Sequence, residues 1–262
     1  MVAANGYAYR LNDVAQKGSR WAYLPVSMKV NPTDSDLTSA ETVRVIQAAM
    51  DTWNTGLAKS IFTISQVDTS IPAGKAMDAD GQNVMAFSKN FRLDSNGFDP
   101  SVVVAVGGQY GDSGNNMSDA FILFNSESVN WTTDQTRASG NNLSGYSDDL
   151  QTVATHELGH VIGLGHSEKP EAIMSAEREQ SIIHDLNKDD VDGAKYLLAS
   201  SAQGSGKANA AGGCGYIADT GSGNGFGGNS GGQASILMML LPLAILLVVR
   251  LRKTMPSFRQ TI

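Results

Sequence analysis

The chain has 262 residues, 41% of them hydrophobic, and a net charge of −7, enough for one well-buried core. Charge is divided by position: residues 1–200 hold 14 Lys and Arg against 25 Asp and Glu, whereas residues 201–262 hold five basic residues against Asp219 alone. The acidic body excludes nucleic acid as an expected partner and suits a soluble exported domain, and the single cysteine, Cys214, excludes an intrachain disulfide.

In chain order, Met1 to Gly6, with small residues at Ala3 and Ala4, reads as the end of a cleavage region and not as an intact signal peptide, so the signal segment is expected to be missing from this chain. Trp21 to Val30 reads as a strand. Thr38 with Glu41 forms a capping box, and Val43, Ile46, Met50, Trp53 and Leu57 follow at helical spacing, predicting an amphipathic helix that ends near Gly56. Phe62 to Ile64 is a second strand, Asp80 to Gln82 a turn into a third at Val84 to Phe87, and Val102 to Val106 a fully buried one. The glycines around 107–114 form no phosphate-binding motif. The run from Asp112 to Asp119 is rich in oxygen ligands, but its spacing fits no defined Ca²⁺ loop, so a polar loop is the preferred reading. Asp119 to Asn125 is a further strand. Ser147 or Asp148 is expected to cap the next helix, with Asp148 and Asp149 suiting its positive end.

That helix carries His156-Glu157-Leu158-Gly159-His160, followed by Gly163 and His166. Histidines four apart lie one turn above the other on the same face, so His156 and His160 can reach one cation. Gly163 permits the left-handed exit that swings His166 back as a third ligand. Three neutral imidazoles leave one tetrahedral position open, the donor set of a catalytic Zn²⁺ site and not a closed structural one. Glu157 stands beside the ligands without joining them and is the candidate general base. A bare H-E-x-x-H arises by chance on solvated helices; the glycine and third histidine argue against coincidence here. The fourth histidine, His184, has no partner at ligand spacing and reads as an ordinary surface or helix-flanking residue.

These residues resemble the metzincin clan of zinc metallopeptidases, in particular its matrixin-like branch. Ser167 directly after the third histidine is similar to the matrixin signature, Met174 in Glu171-Ala172-Ile173-Met174-Ser175 to the methionine turn beneath the metal, and Leu186 to Leu198 to the closing helix. The resemblance implies an α+β domain with a twisted mixed sheet and three helices, one catalytic Zn²⁺ on His156, His160 and His166, catalysis by Glu157 and a polypeptide substrate. It also implies that Asp119 to Asn125 is the edge strand that pairs with extended substrate, and that Asp190 hydrogen-bonds the methionine turn. Ser175-Ala176-Glu177-Arg178 stands where matrixins carry Tyr-Pro, so the substrate pocket does not carry over. Ala176 stands where other metzincins place a metal-touching tyrosine, and no histidine precedes His156, so neither a fifth ligand nor a second zinc is expected. Two other functions fit the same residues: a zinc hydrolase of non-peptide, cell-wall-type amides, and a non-catalytic surface-binding module. The second would be expected to have lost Glu157 or a ligand.

Beyond this catalytic domain, residues 1–200, residues 201–233 contain twelve glycines and read as a flexible linker. Ala234 to Val249 is almost wholly apolar, is interrupted by Pro242, and is followed by Arg250, Arg252 and Lys253. Residues 234–251 are therefore expected to form a transmembrane or sorting helix and 252–262 a basic cytoplasmic tail, with the catalytic domain outside. The layout of Cys214, spacer, apolar run and basic cluster resembles C-terminal sorting tails of bacterial surface proteins; a retained anchor and a tail processed near Cys214 both fit. A monomer is expected.

Overall fold

The computed structural model describes residues 8–111, 116–133, 146–176, 182–200 and 211–217. The chain divides into two units, Met1–Ser222 and Gly223–Ile262, and all described residues belong to the first. The expected transmembrane helix at 234–251, the basic tail, the N-terminal cleavage-like segment, residues 112–115 of the oxygen-rich loop and the pair Glu177–Arg178 lie outside the described residues. Among those described, no helix is long and apolar enough to cross a membrane.

The elements in order are α1 (Asp13–Gln16), β1 (Arg20–Trp21), β2 (Val26–Val30), α2 (Ser39–Gly56), β3 (Phe62–Val67), a 3₁₀ turn (Ala73–Met77), β4 (Val84–Ser88), α3 (Phe91–Asp94), β5 (Val103–Gly111), β6 (Asn116–Asn125), β7 (Val129–Thr132), β8 (Tyr146–Asp149), α4 (Leu150–Ile162), α5 (Lys188–Ser200) and β9 (Ala211–Ile217). The main sheet runs β3-β2-β4-β6-β5-β9, with β1 pairing the start of β6. Strands β3, β2, β4 and β6 are parallel, and β5 and β9 are each antiparallel to their neighbours. The mixed sheet and helices agree with the expected α+β class.

Thr38 caps α2 as expected: its hydroxyl accepts from the Glu41 N–H, and the Glu41 carboxylate accepts from the Thr38 N–H. The inward face of α2 is Thr42, Val45, Ile46, Ala49, Met50 and Trp53. The Trp53 indole donates to the Thr155 carbonyl at 2.8 Å, tying α2 to α4 across the core. The single expected strand over 21–30 is two, β1 and β2, separated by residues 22–25.

The structure corrects three expectations. Residues 119–125 are not an edge: β6 lies between β4 and β5, and every residue from Asp119 to Asn125 is buried. Ala120, Ile122 and Phe124 face the main core while Phe121 and Leu123 join a second cluster with Ala86, Phe91 and Val106. An unbroken apolar run is the pattern of a strand covered on both faces. The cap of α4 is Asp149, not Ser147 or Asp148; its carboxylate accepts from the Thr152 N–H at 2.8 Å. The β7–β8 ladder continues to Thr132–Asp149, so the chain is still extended at 148. Finally, part of the stretch read as linker is a strand, since Ala211–Ile217 pairs with β5. Composition speaks for side chains, whereas a sheet edge offers main-chain donors and acceptors that a glycine-rich segment can satisfy.

Candidate metal centre

Helix α4 is buried along almost its whole length, and its core-facing side reads Val153, Leu158, Val161 and Ile162. It ends at Gly163, whose φ of 117° is left-handed; the Leu164 N–H then reaches back to the Gly159 carbonyl at 3.0 Å. A β-carbon at Gly163 would also sit 2.9 Å from the Ala15 side chain, so both conformation and space require glycine. This turn brings His166 beside the two helical histidines. The ring centroids are 4.8 Å (His156–His160), 5.0 Å (His160–His166) and 5.3 Å (His156–His166) apart. One nitrogen from each ring lies within 4.8 Å of the others, and this is the one such His/Cys/Asp/Glu group among the described residues.

Main-chain carbonyls orient the rings. His156 Nδ1 is 2.7 Å from the Ile173 carbonyl and His160 Nδ1 is 2.8 Å from that of Leu164. A carbonyl only accepts, so Nδ1 carries the proton and Nε2 presents its lone pair to the centre of the cluster. His160 Nε2 is fully buried with no hydrogen-bond partner, a cost that a metal bond at that nitrogen removes. Burial, then the neighbouring His166, hold His160 down to about 3; burial, then the Arg10 charge, hold His166 down to about 4. Both rings are thus neutral well below neutral pH. Three converging imidazole nitrogens in this arrangement fit Zn²⁺.

Glu157 is fully buried between α4 and β5. Strand β5 passes so close that a β-carbon at Gly107 would stand 2.7 Å from Glu157 Oε2 and 3.0 Å from its carbonyl oxygen. The absent side chain at Gly107 is therefore what makes room for the carboxylate beside the histidines.

Beneath the three histidines, Met174 is 1% exposed and its sulfur lies against the bare face of Gly159. The turn carrying it is held from α5: Asp190 accepts from the Ile173 N–H at 3.0 Å, the Met174 N–H at 3.1 Å and the Asn187 N–H at 2.8 Å. This is the contact expected of Asp190. Burial pushes its carboxyl up to about 6 despite those donors. His184 stands apart from the cluster and donates through Nε2 to the capping Asp149 at 2.7 Å. Asp119, at the end of the oxygen-rich run, accepts from the Gly81 N–H at 2.8 Å, and burial raises it to about 6. Residues 112–115 lie outside the described residues.

Sequence reasoning missed a buried amide pair. Asn12 and Gln109 exchange hydrogen bonds at 3.2 and 2.9 Å, and Asn12 also donates to the His160 carbonyl at 3.0 Å. They tie the N-terminal segment and β5 to α4. The available sign was Gln109 closing an otherwise apolar run. Ser167 donates to Asp189 at 2.7 Å, anchoring the chain just after His166 to α5.

Residues 20–199 match the peptidase family described as Matrixin. The chain belongs to the matrixin family. Human matrix metalloproteinase-25 is 30% identical to this matrixin over 208 residues, covering 76% of the chain and 33% of the relative. Karilysin of Tannerella forsythia is 26% identical over 166 residues, 62% of the chain and 30% of the relative. The Arabidopsis thaliana metalloendoproteinase 2-MMP is 43% identical over 58 residues, 20% of the chain and 14% of the relative. The chain thus spans about a third or less of the length of each of these relatives.

Proposed function

We propose that this matrixin is a zinc-dependent endopeptidase in which His156, His160 and His166 hold the metal and Glu157 is the catalytic base. The observation that carries the reading is the convergence of three imidazoles, two of them held by main-chain carbonyls, beside a buried carboxylate that takes no place among them. When bound, zinc supplies a Lewis acid that polarises the scissile carbonyl and lowers the pKa of water toward ~7. Glu157 takes the proton from the attacking water and then delivers it to the leaving amine. Its enclosure by α4 and the Gly107 stretch of β5 holds the carboxylate in one place through both transfers. The Nδ1–carbonyl bonds keep the rings from turning, and Asp190 fixes the Ile173 carbonyl on which His156 depends.

Glu157→Ala is expected to keep one zinc per chain while lowering turnover of a peptide substrate by at least ~10²-fold, because a proton carrier is lost and a ligand is not. Metal analysis and peptide kinetics on the same sample test this, and equal activity in the variant sinks the assignment.

The protein acts outside the cell on polypeptides as a monomer, held at the surface by residues 234–251. The apolar run and its basic stop support this, as does the acidic charge of residues 1–200. Deleting residues 234–262 is expected to move the protein from the membrane to the soluble fraction with turnover unchanged. A full-length chain found soluble in the cytosol refutes the anchoring.

A further inference from the structure

We infer that the chain's own segment Ala211–Ile217, paired with the outer edge of β5 over the metal centre, is a built-in competitor that excludes other extended polypeptides from that edge. The exclusion rests on the peptidase reading, and the occupancy itself does not.

Three observations meet at one point. The β9 segment runs antiparallel along β5 from Tyr110 to Val103, with Gly213 opposite Gly108 and Cys214 opposite Gly107. Gly107 is where β5 crosses Glu157, close enough that a β-carbon there would touch its carboxylate and its main chain. The middle of β9 therefore lies one strand spacing, about 4.8 Å, from the stretch of β5 that covers the proposed base. The segment also approaches α4 and α1, so it lies along the metal-site side of the strand.

The composition fits an occupant more than a built-in strand. Three of its seven residues are glycine, which has poor intrinsic strand tendency and brings no β-carbon between the approaching backbones. Pairing of this kind depends on main-chain hydrogen bonds, the mode by which extended peptides add to sheet edges. Residues 201–210 join α5 to the segment, and ten residues reach at most about 35 Å, so the same chain supplies the occupant at high effective concentration. A polypeptide in solution must displace it before pairing with β5.

The test is hydrogen exchange on the full-length chain carrying Glu157→Ala, which keeps the segment intact, with and without Gly212→Pro and Gly213→Pro. Successive residues of an antiparallel strand direct their N–H groups to opposite sides, so the two prolines remove one donor to β5 whichever residue supplies it. The expected result is protection of 103–110 and 211–217 in the parent and at least tenfold faster exchange of both in the proline variant, with α4 unchanged. Exchange of 211–217 at the rate of an unstructured peptide overturns the occupancy. With Glu157 restored, the proline variant is expected to cleave a quenched-fluorescence peptide with KM at least tenfold lower and kcat unchanged; an unchanged KM overturns the exclusion. Absence of turnover in both forms refutes the peptidase reading and leaves the exchange result to decide the occupancy.

Discussion

Gly159→Ala should destabilise the domain and loosen the metal, although alanine is the better helix former. Position 159 lies inside α4, where propensity alone favours alanine by about 0.8–1.0 kcal/mol. The opposing contact is severe: the new β-carbon would lie 2.2 Å from the Met174 sulfur, 3.1 Å from its methyl carbon and 3.0 Å from Trp53 Cζ2. Met174 and Trp53 are both buried, so neither has open space to enter. Overpacking of this kind costs about 1–3 kcal/mol, and the lack of open space around either buried neighbour puts it at the upper end. The net loss is then about 1–2 kcal/mol, or a Tm lower by roughly 2–8 °C for a domain of this size. The displaced methionine belongs to the turn whose Ile173 carbonyl orients His156, so zinc affinity should fall by about 10–100-fold. Thermal unfolding of metal-free protein and competition titration with a zinc chelator measure the two effects separately. Adding Met174→Ala should make the double variant less unstable than the two single changes together, because the second change empties the space the first one needs. A Gly159→Ala protein that is more stable than its parent would refute the placement of Met174 beneath the helix.

Gly107→Ala meets the carboxylate, β-carbon and carbonyl of Glu157 at 2.7, 2.9 and 3.0 Å, and the last of these belongs to a helix that cannot yield. Displacement of the proposed base should lower kcat on the order of 10²-fold with zinc stoichiometry unchanged, as read by peptide kinetics and metal analysis. Because His160 and His166 are held down to about 3 and 4, below the ordinary 6.5, protons should not compete for these nitrogens between pH 7 and 5, and zinc affinity should stay level there. A fall approaching tenfold per pH unit in that range contradicts the burial of the rings. The same depression sets the sign for metal-free stability: unfolded imidazoles take up protons below pH 6.5 that the folded ones refuse. Stability should therefore be intact above 6.5 and decline toward pH 4, by up to about 1.4 kcal/mol per unit for each ring.

What could be read in advance was local. His156, His160 and Gly163 lie within two turns of one helix, and their relation follows from helical geometry alone; the capping box of α2 is likewise a relation over three residues. Where partners come from distant strands, adjacency in sequence says less. Three residues at 147–149 can all cap a helix, and the choice falls to Asp149 because β8 stays paired with β7 until that residue. The edge reading of 119–125 came from resemblance, while the residues themselves spelled a strand covered on both faces. The face of α2 was approximately legible: Ile46, Met50 and Trp53 are inward as expected, but Val45 and Ala49 complete the stripe while Val43 and Leu57 lie at its margin.

The same distinction explains which side chains of the centre stay hidden from sequence reasoning. The three histidines announce themselves by type, but the groups that aim them are mostly backbone. The Ile173 and Leu164 carbonyls hold two imidazoles, and the His160 carbonyl accepts from Asn12. A carbonyl has no sequence signature, so its position must be inferred from whatever pins it. For Ile173 that is Asp190, seventeen residues further along, whose carboxylate spans two successive N–H groups of the turn. For Leu164 it is Gly163, through the left-handed exit that places the carbonyl below His160. The centre therefore depends on residues chosen for what they do to the main chain. Substituting them should disturb ring orientation and metal affinity first and folding second, the reverse of the order expected for Val153 or Leu158 on the core side of the same helix.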